Sequence, residues 1–239
     1  MSGAKAITIH LADFTTPRPP RRPPPLGGAG ARRWLIGRKA TLAVGAFEFD
    51  DRCWSAFGLW EDLDDAVVAT ASPGELVPWM AGAERQWHAV AVPVRVLGTS
   101  NHTFDGTAGT PCWEVSPDED GDGPVISMTT AAFDDPNADP ARLGRFVTGQ
   151  FHLTDDVVRD APGNLGHRDV VAFPFRSFDG CNLTLWRDLE AMQGFAYRAG
   201  EHRSYVDSHR STPAGWFDRS SFTRFRPVRA WETLNRGAR

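Results

Sequence analysis

One five-residue string occurs twice in this chain. Leu59-Trp60-Glu61-Asp62-Leu63 returns, with a single replacement, as Leu185-Trp186-Arg187-Asp188-Leu189, 126 residues further along a sequence of 239. Each copy ends a stretch that reads as a β-strand and opens one that reads as a helix. Asp62 and Asp188 stand where a helix N-cap belongs, because a short carboxylate can accept the backbone N–H groups that the first turn leaves unpaired. A strand-to-helix junction repeated at about half the chain length confines the fold to a duplicated unit.

The patterns around the two copies fill in that unit. In the first, residues 6–12 alternate apolar and polar as a half-buried strand does. Residues 17–25 are proline-rich and extended, and 31–39 read as weakly helical or irregular. Strands are expected over 41–49 and 53–60, with a turn at Asp50-Asp51. A helix over 62–71 breaks at Pro73-Gly74 and Pro78 and resumes over 79–88; a strand follows over 89–97. The second copy gives a strand at 125–133 and a helix within 137–159, started by Asp139-Pro140 and stopped by Pro162-Gly163. Strands at 169–175 and 181–186, a helix over 188–211 and a strand over 222–228 complete it. The reading is α+β: two tandem ferredoxin-like β-α-β-β-α-β units, over 1–98 and 124–239, joined by a solvated linker, 99–123, and packed as a pseudo-dimeric α/β barrel. The acidic run from Asp118 is not a calcium loop, since the twelfth position is Thr129 and not Glu.

Charge excludes one broad class of function. The net charge is −4, and the basic cluster of Arg18, Arg21, Arg22, Arg32, Arg33, Arg38 and Lys39 is local, so nucleic acid is not an expected partner. The three cysteines are far apart with no C-x-x-C, which indicates neither zinc nor a disulfide framework and points to a cytoplasmic protein. No transmembrane segment or signal peptide is read from the sequence. A G-x-S-x-G elbow is missing, and Gly27-Gly28-Ala29-Gly30 lacks the lysine of a phosphate-binding loop.

Along 188–211 the apolar residues Leu189, Met192, Phe195, Ala196, Ala199 and Val206 form one stripe at helical spacing, and His202 lies on it. An inward histidine can be a hydrogen-bonded core residue or a single axial ligand to haem iron. In the first copy the same offset falls on Leu76, so a haem held by His202 would be one per chain, in the second half.

The segments Leu183-Thr184-Leu185-Trp186-Arg187-Asp188, Ala191-Met192, Phe195-Ala196-Tyr197-Arg198, His202-Arg203, Gly215-Trp216-Phe217 and Arg224-Phe225-Arg226-Pro227 resemble the C-terminal half of the spheroidene monooxygenase family, enzymes of bacterial carotenoid ketolation. The resemblance implies a haem-dependent monooxygenase with haem b. Its electrons would come from a ferredoxin-type donor, and its substrate would be a small or apolar biosynthetic intermediate. It places His202 at the iron; in that case Phe195, Ala199 and Val206 on the helix wall form the apolar bed, and Arg198 and Arg203 are either partners for the propionates or part of a solvated helix face. Arg176 and His167 are the distal candidates. They lie in 163–179, a loop that departs from the family pattern, as does the proline tract. The fold also resembles that of chlorite dismutases, dye-decolorising peroxidases and aldoxime dehydratases. Dehydration or N–O bond chemistry is therefore one alternative, and a cofactor-free ferredoxin-like binding protein is another. A homodimer is compatible with all three.

Overall fold

A computed structural model describes the whole chain apart from residues 1–2, 19–30, 44–45, 99–112, 117–120, 136–137, 152–156, 174–177, 199, 212–216 and 235–239. The first half comprises β1 (Ala6–Asp13), β2 (Ala31–Ala43), β3 (Ala46–Trp60), α1 (Leu63–Ala69), α2 (Pro73–Leu76), a 3-10 turn at Pro78–Met80 and β4 (Arg85–Gly98). In the second half come β5 (Val125–Phe133), α3 (Pro140–Phe151), β6 (Asn164–Ala172) and β7 (Phe178–Trp186). They are followed by α4 (Leu189–Gln193), a π-helical turn at Gly194–Arg198, α5 (Gly200–Ser211) and β8 (Arg219–Leu234).

The eight strands close a barrel in the order β1-β3-β2-β6-β7-β5-β8-β4. Every pairing is antiparallel. Each half supplies four neighbouring strands, and the two sheets join edge to edge at equivalent strands. One seam is short, from Gly37↔Ala172 to Lys39↔Val170. The other runs from Arg85↔Leu234 to Gly98↔Ser221. Closure removes the unpaired sheet edges that each half alone would expose.

The repeat is visible in individual contacts. Trp60 stands opposite Ala6 and Trp186 opposite Val125. The Trp60 indole donates to Thr8 Oγ1 at 3.1 Å, and the Trp186 indole to Ser127 Oγ at the same 3.1 Å. Both caps form as expected: Asp62 accepts from the Asp64 and Asp65 N–H groups, and Asp188 from that of Ala191. Asp139 likewise accepts from the Arg142 N–H at the start of α3. Gly163, at φ +83°, makes the left-handed turn into β6 that a side chain would resist.

Four local expectations need correction. Residues 31–39 belong to β2, where Trp34 and Ile36 pack on the helix-facing side with Trp54, and Leu35 on the barrel core; the flanking charges Arg32, Arg33, Arg38 and Lys39 hid the alternation. Asp50-Asp51 is not a hairpin turn but an irregularity within β3, between the pairs Lys39↔Asp50 and Arg38↔Trp54. It is held by Arg38 donating to Asp51 at 2.6 Å and Arg52 to Asp50 at 2.9 Å. The helix expected over 79–88 is a 3-10 turn followed by β4, whose Trp87, Ala89 and Ala91 alternate into the barrel core. Finally, the stretch 99–123 is not solvated throughout: Trp113 pairs with Ala4 and packs edge-on to Phe225 at 5.1 Å within that core.

Candidate functional site

Strand periodicity gives each sheet two faces. In the second half the even positions Ile126, Met128 and their neighbours fill the barrel, while Ser127, Thr129 and Ala131 look outward beneath the helices. Between that outer face and α3, α4 and α5 lies a cavity of about 610 Å³. Its walls are largely apolar, with Phe146 and Val147 from α3, Met192, Phe195 and Val206 from the broken helix, and Phe222 from β8.

His202 lines this cavity from α5. The helix expected over 188–211 is interrupted by the π-helical turn, and the break sets the imidazole. Carbonyls at the end of a helical segment lack intrahelical partners, and π turns recur at functional sites. Here the Ala196 carbonyl lies 2.9 Å from His202 Nδ1. A carbonyl can only accept, so Nδ1 carries the proton and Nε2 is left with its lone pair. Burial lowers the imidazole's pKa from its ordinary value, opposed by the bond to Ala196; the ring is neutral at pH 7. Phe195 packs on it at 4.9 Å and on Trp186 at 5.2 Å, tying the ring to the repeated motif.

The other residues singled out by sequence fall in different places. Phe195 and Val206 line the cavity beside His202. Ala199 and Arg176 lie outside the described residues. Arg198 is exposed at the end of the π turn. Arg203 lines the cavity and pairs with Asp207 at 3.8 Å. His167 does not join His202. It stands on β6 opposite Thr184 and borders a separate space of about 240 Å³ at one mouth of the barrel, with Leu11, Trp87, Leu183 and Leu185. It shares a sheet face with Thr184 and Asp169 but is not among the residues lining the cavity, and its neighbour Arg168 donates to Asp13 at 2.6 Å.

Sequence reasoning missed the polar groups on the sheet wall. Asp169, Asn182 and Thr184 all line the cavity. Thr184 donates to Asn182 Oδ1 at 2.7 Å, and Asn182 Nδ2 donates to Asp169 at 3.2 Å. Their signal was the alternation Cys181-Asn182-Leu183-Thr184-Leu185, which looks the same whether the polar face meets water or a cavity. Among the described residues no cluster of three or more His, Cys, Asp or Glu could hold a bare ion. A metal that brings its own ligands needs one side chain, and His202 is placed to be that one.

In the first half the matching space is filled. Leu76 is 2% exposed and packs with Trp60, Ala66 and Val90. The cross-strand row Phe222–Thr129–Asn182–Asp169 corresponds by register to His88–His10–Ala56–Ile36. His10 and His88 are fully buried, with their Nδ1 atoms 2.9 Å apart and Trp34 at 6.0 Å from His10.

No family model matches the sequence, and no curated protein matches it, so the resemblance to spheroidene monooxygenases gains no support from either. Solved structures do match. An aldoxime dehydratase superposes with a TM-score of 0.60 at 11% identity, over 97% of this chain and 85% of that one. A second aldoxime dehydratase, crystallised with butyraldoxime, gives 0.60 at 10%, over 97% and 83%. A monooxygenase of Streptomyces coelicolor bound to nanaomycin D matches 49% of this chain and 91% of its own, at 15% identity and a TM-score of 0.30, which is too slight to argue from. At such identities the likeness establishes the fold alone. The chain is a mixed α+β protein of the dimeric α/β-barrel type, with a closed eight-stranded antiparallel barrel. No helix among the described residues is long and apolar enough to cross a membrane.

Proposed function

We propose that the second half binds one haem b through His202 and that the chain is a haem-dependent oxygenase acting on a small apolar molecule. The observation that carries this is the His202–Ala196 bond: it fixes one nitrogen as donor and leaves the other bare inside a largely apolar cavity. The size of the cavity suits a flat cofactor, since sites for small molecules and cofactors commonly span about 300–1,000 Å³. Haem b would supply an iron centre able to activate dioxygen. The chain's own residues do the rest. Ala196 orients the imidazole and raises its basicity. Phe195, Met192 and Val206 keep water from it, and Arg203 offers a guanidinium to a propionate. In this reading a ferredoxin-type protein delivers electrons, residues 124–239 act as the cofactor half in the cytoplasm, and a homodimer remains an available assembly.

A second reading is favoured by the near-complete superposition on aldoxime dehydratases: loss of water from an aldoxime to give a nitrile, which needs neither external electrons nor dioxygen. The first test is the visible spectrum after hemin is added to the wild type and to His202→Ala. A Soret band in the wild type that is lost or shifted in the variant supports the haem reading; no band in folded wild type overturns it. Anaerobic conversion of butyraldoxime to butyronitrile by the loaded protein would then select the dehydratase reading over the oxygenase.

A further inference from the structure

We infer that Asn182 is the specificity-determining hydrogen-bond donor of this cavity, selecting a bound molecule that presents one oxygen or nitrogen acceptor on an otherwise apolar body. The inference rests on the cavity assignment above and goes further by naming the class of molecule.

Asn182 sits in β7 between Thr129 on β5 and Asp169 on β6. Its side-chain orientation follows from the network. With Oδ1 accepting from Thr184 at 2.7 Å and Nδ2 donating to Asp169 at 3.2 Å, both contacts are favourable. A flipped amide would set its oxygen against a carboxylate, so the flip is excluded. An amide nitrogen carries two protons. One serves Asp169, and among the described residues no group takes the other. Asp169 and Thr184 are only 7% and 2% exposed, so two buried groups hold the amide in place. Such a donor acts by being fixed before the ligand arrives.

The three polar residues on this apolar wall satisfy one another except for the second Asn182 N–H, and a polar group shut away from water without a hydrogen bond is costly. Comparison with the other half shows that the barrel does not need them: the equivalents of Asp169, Asn182 and Thr184 are Ile36, Ala56 and Gly58, none of them polar. The Asp169–Asn182–Thr184 network occurs where the helix–sheet space is open; in the filled half those three positions are apolar, and the buried polar groups of the row, His10 and His88, bond to each other. A donor-only contact suits a carbonyl, hydroxyl or oxime and gives nothing to a hydrocarbon.

The test uses a matched pair of probes, 2-naphthaldehyde and 2-methylnaphthalene, titrated calorimetrically into protein that has been incubated with hemin and freed of the excess. The wild type should bind the aldehyde about tenfold or more tightly than the hydrocarbon, the scale of one well-placed hydrogen bond. Asn182→Leu should bring the ratio close to one with hydrocarbon binding little changed, and Thr184→Val should lower it part of the way by loosening the amide. Should Asn182→Leu fail to fold, as judged by circular dichroism, the Thr184→Val ratio decides. A wild-type ratio near one, no aldehyde binding, or a ratio unmoved by either substitution would overturn the inference. The two readings fail separately. A normal Soret band without discrimination removes the role of Asn182 and leaves haem, whereas discrimination in protein that never forms a Soret band keeps Asn182 and removes haem.

Discussion

Trp60 and Trp186 donate to Thr8 and Ser127 at the same distance, and Asp62 and Asp188 cap the helices that follow. Beyond those shared joints the halves diverge. Above the first sheet, Leu76, Trp34, Trp54 and Met80 close the space with side chains, and His10 and His88 are packed into the floor. Above the second, the helix is broken by a π turn, a histidine occupies the place of Leu76, and a cavity of about 610 Å³ remains. Closing the barrel takes both halves, because each supplies the edges the other pairs with. Holding a ligand takes only one. Duplication has thus separated a half that secures the fold from a half that can keep an open, less stable interior.

Stability measurements can break this contrast. Leu76→Ala should cost about 2–5 kcal/mol by urea unfolding, as expected for a truncation in a filled core. His202→Ala in cofactor-free protein should cost less than about 1 kcal/mol, because its neighbours already face open space. Equal costs would mean that the two interiors are alike.

The tryptophan locks sharpen the comparison from the other side. Trp60→Phe and Trp186→Phe each strand a buried hydroxyl, at about 1–3 kcal/mol in thermal or denaturant unfolding. Two costs that agree within error would show the joint to be a true repeat. A negligible cost in one half would show that half to be relaxed around its cavity.

The larger pH effect belongs to the filled half. Burial pulls the imidazole of His10 down to about 3, helped by the charge of His88, and that of His88 to about 4, from an ordinary 6.5. Both are therefore neutral in the folded chain. Below pH 6.5 the unfolded chain takes up protons that the folded chain refuses, so stability is full above that pH and falls as pH drops towards 4. The slope is about 1.4 kcal/mol per pH unit for each imidazole. Urea midpoints at pH 7.5, 6 and 5 would follow the decline, and a His10→Phe, His88→Phe double variant should flatten it. The smallest effects are the caps: Asp62→Ala and Asp188→Ala should each cost about 1 kcal/mol, and both should do so alike.

Much of this contrast could be read in the sequence. The doubled Leu-Trp-x-Asp-Leu string showed the repeat, the caps and the strand-to-helix joints. His202 was legible because it interrupts an apolar stripe at helical spacing, and Leu76 because it falls at the same offset. The rest depended on information that periodicity does not carry. Residues 31–39 hide a strand because Arg32, Arg33, Arg38 and Lys39 mask the alternation of Trp34 and Ile36. The irregularity at Asp50-Asp51 has the residues of a turn and is kept within a strand by Arg38 and Arg52. The π turn leaves no clear mark in side-chain spacing, so the acceptor for His202 could not be named. His167 looked suitable by residue type and stands by the barrel mouth instead. Asn182 and its partners went unnoticed because alternation shows that a face is polar, not what it faces.

The claim that one half is filled and the other open for a cofactor is tested most directly by titrating hemin to its endpoint. Absorbance at the Soret band would be followed in the wild type and in His202→Ala. The account predicts a break at one equivalent per chain in the wild type and no such break in the variant. A break at two equivalents, an endpoint unchanged by His202→Ala, or no Soret band in folded wild type would contradict it.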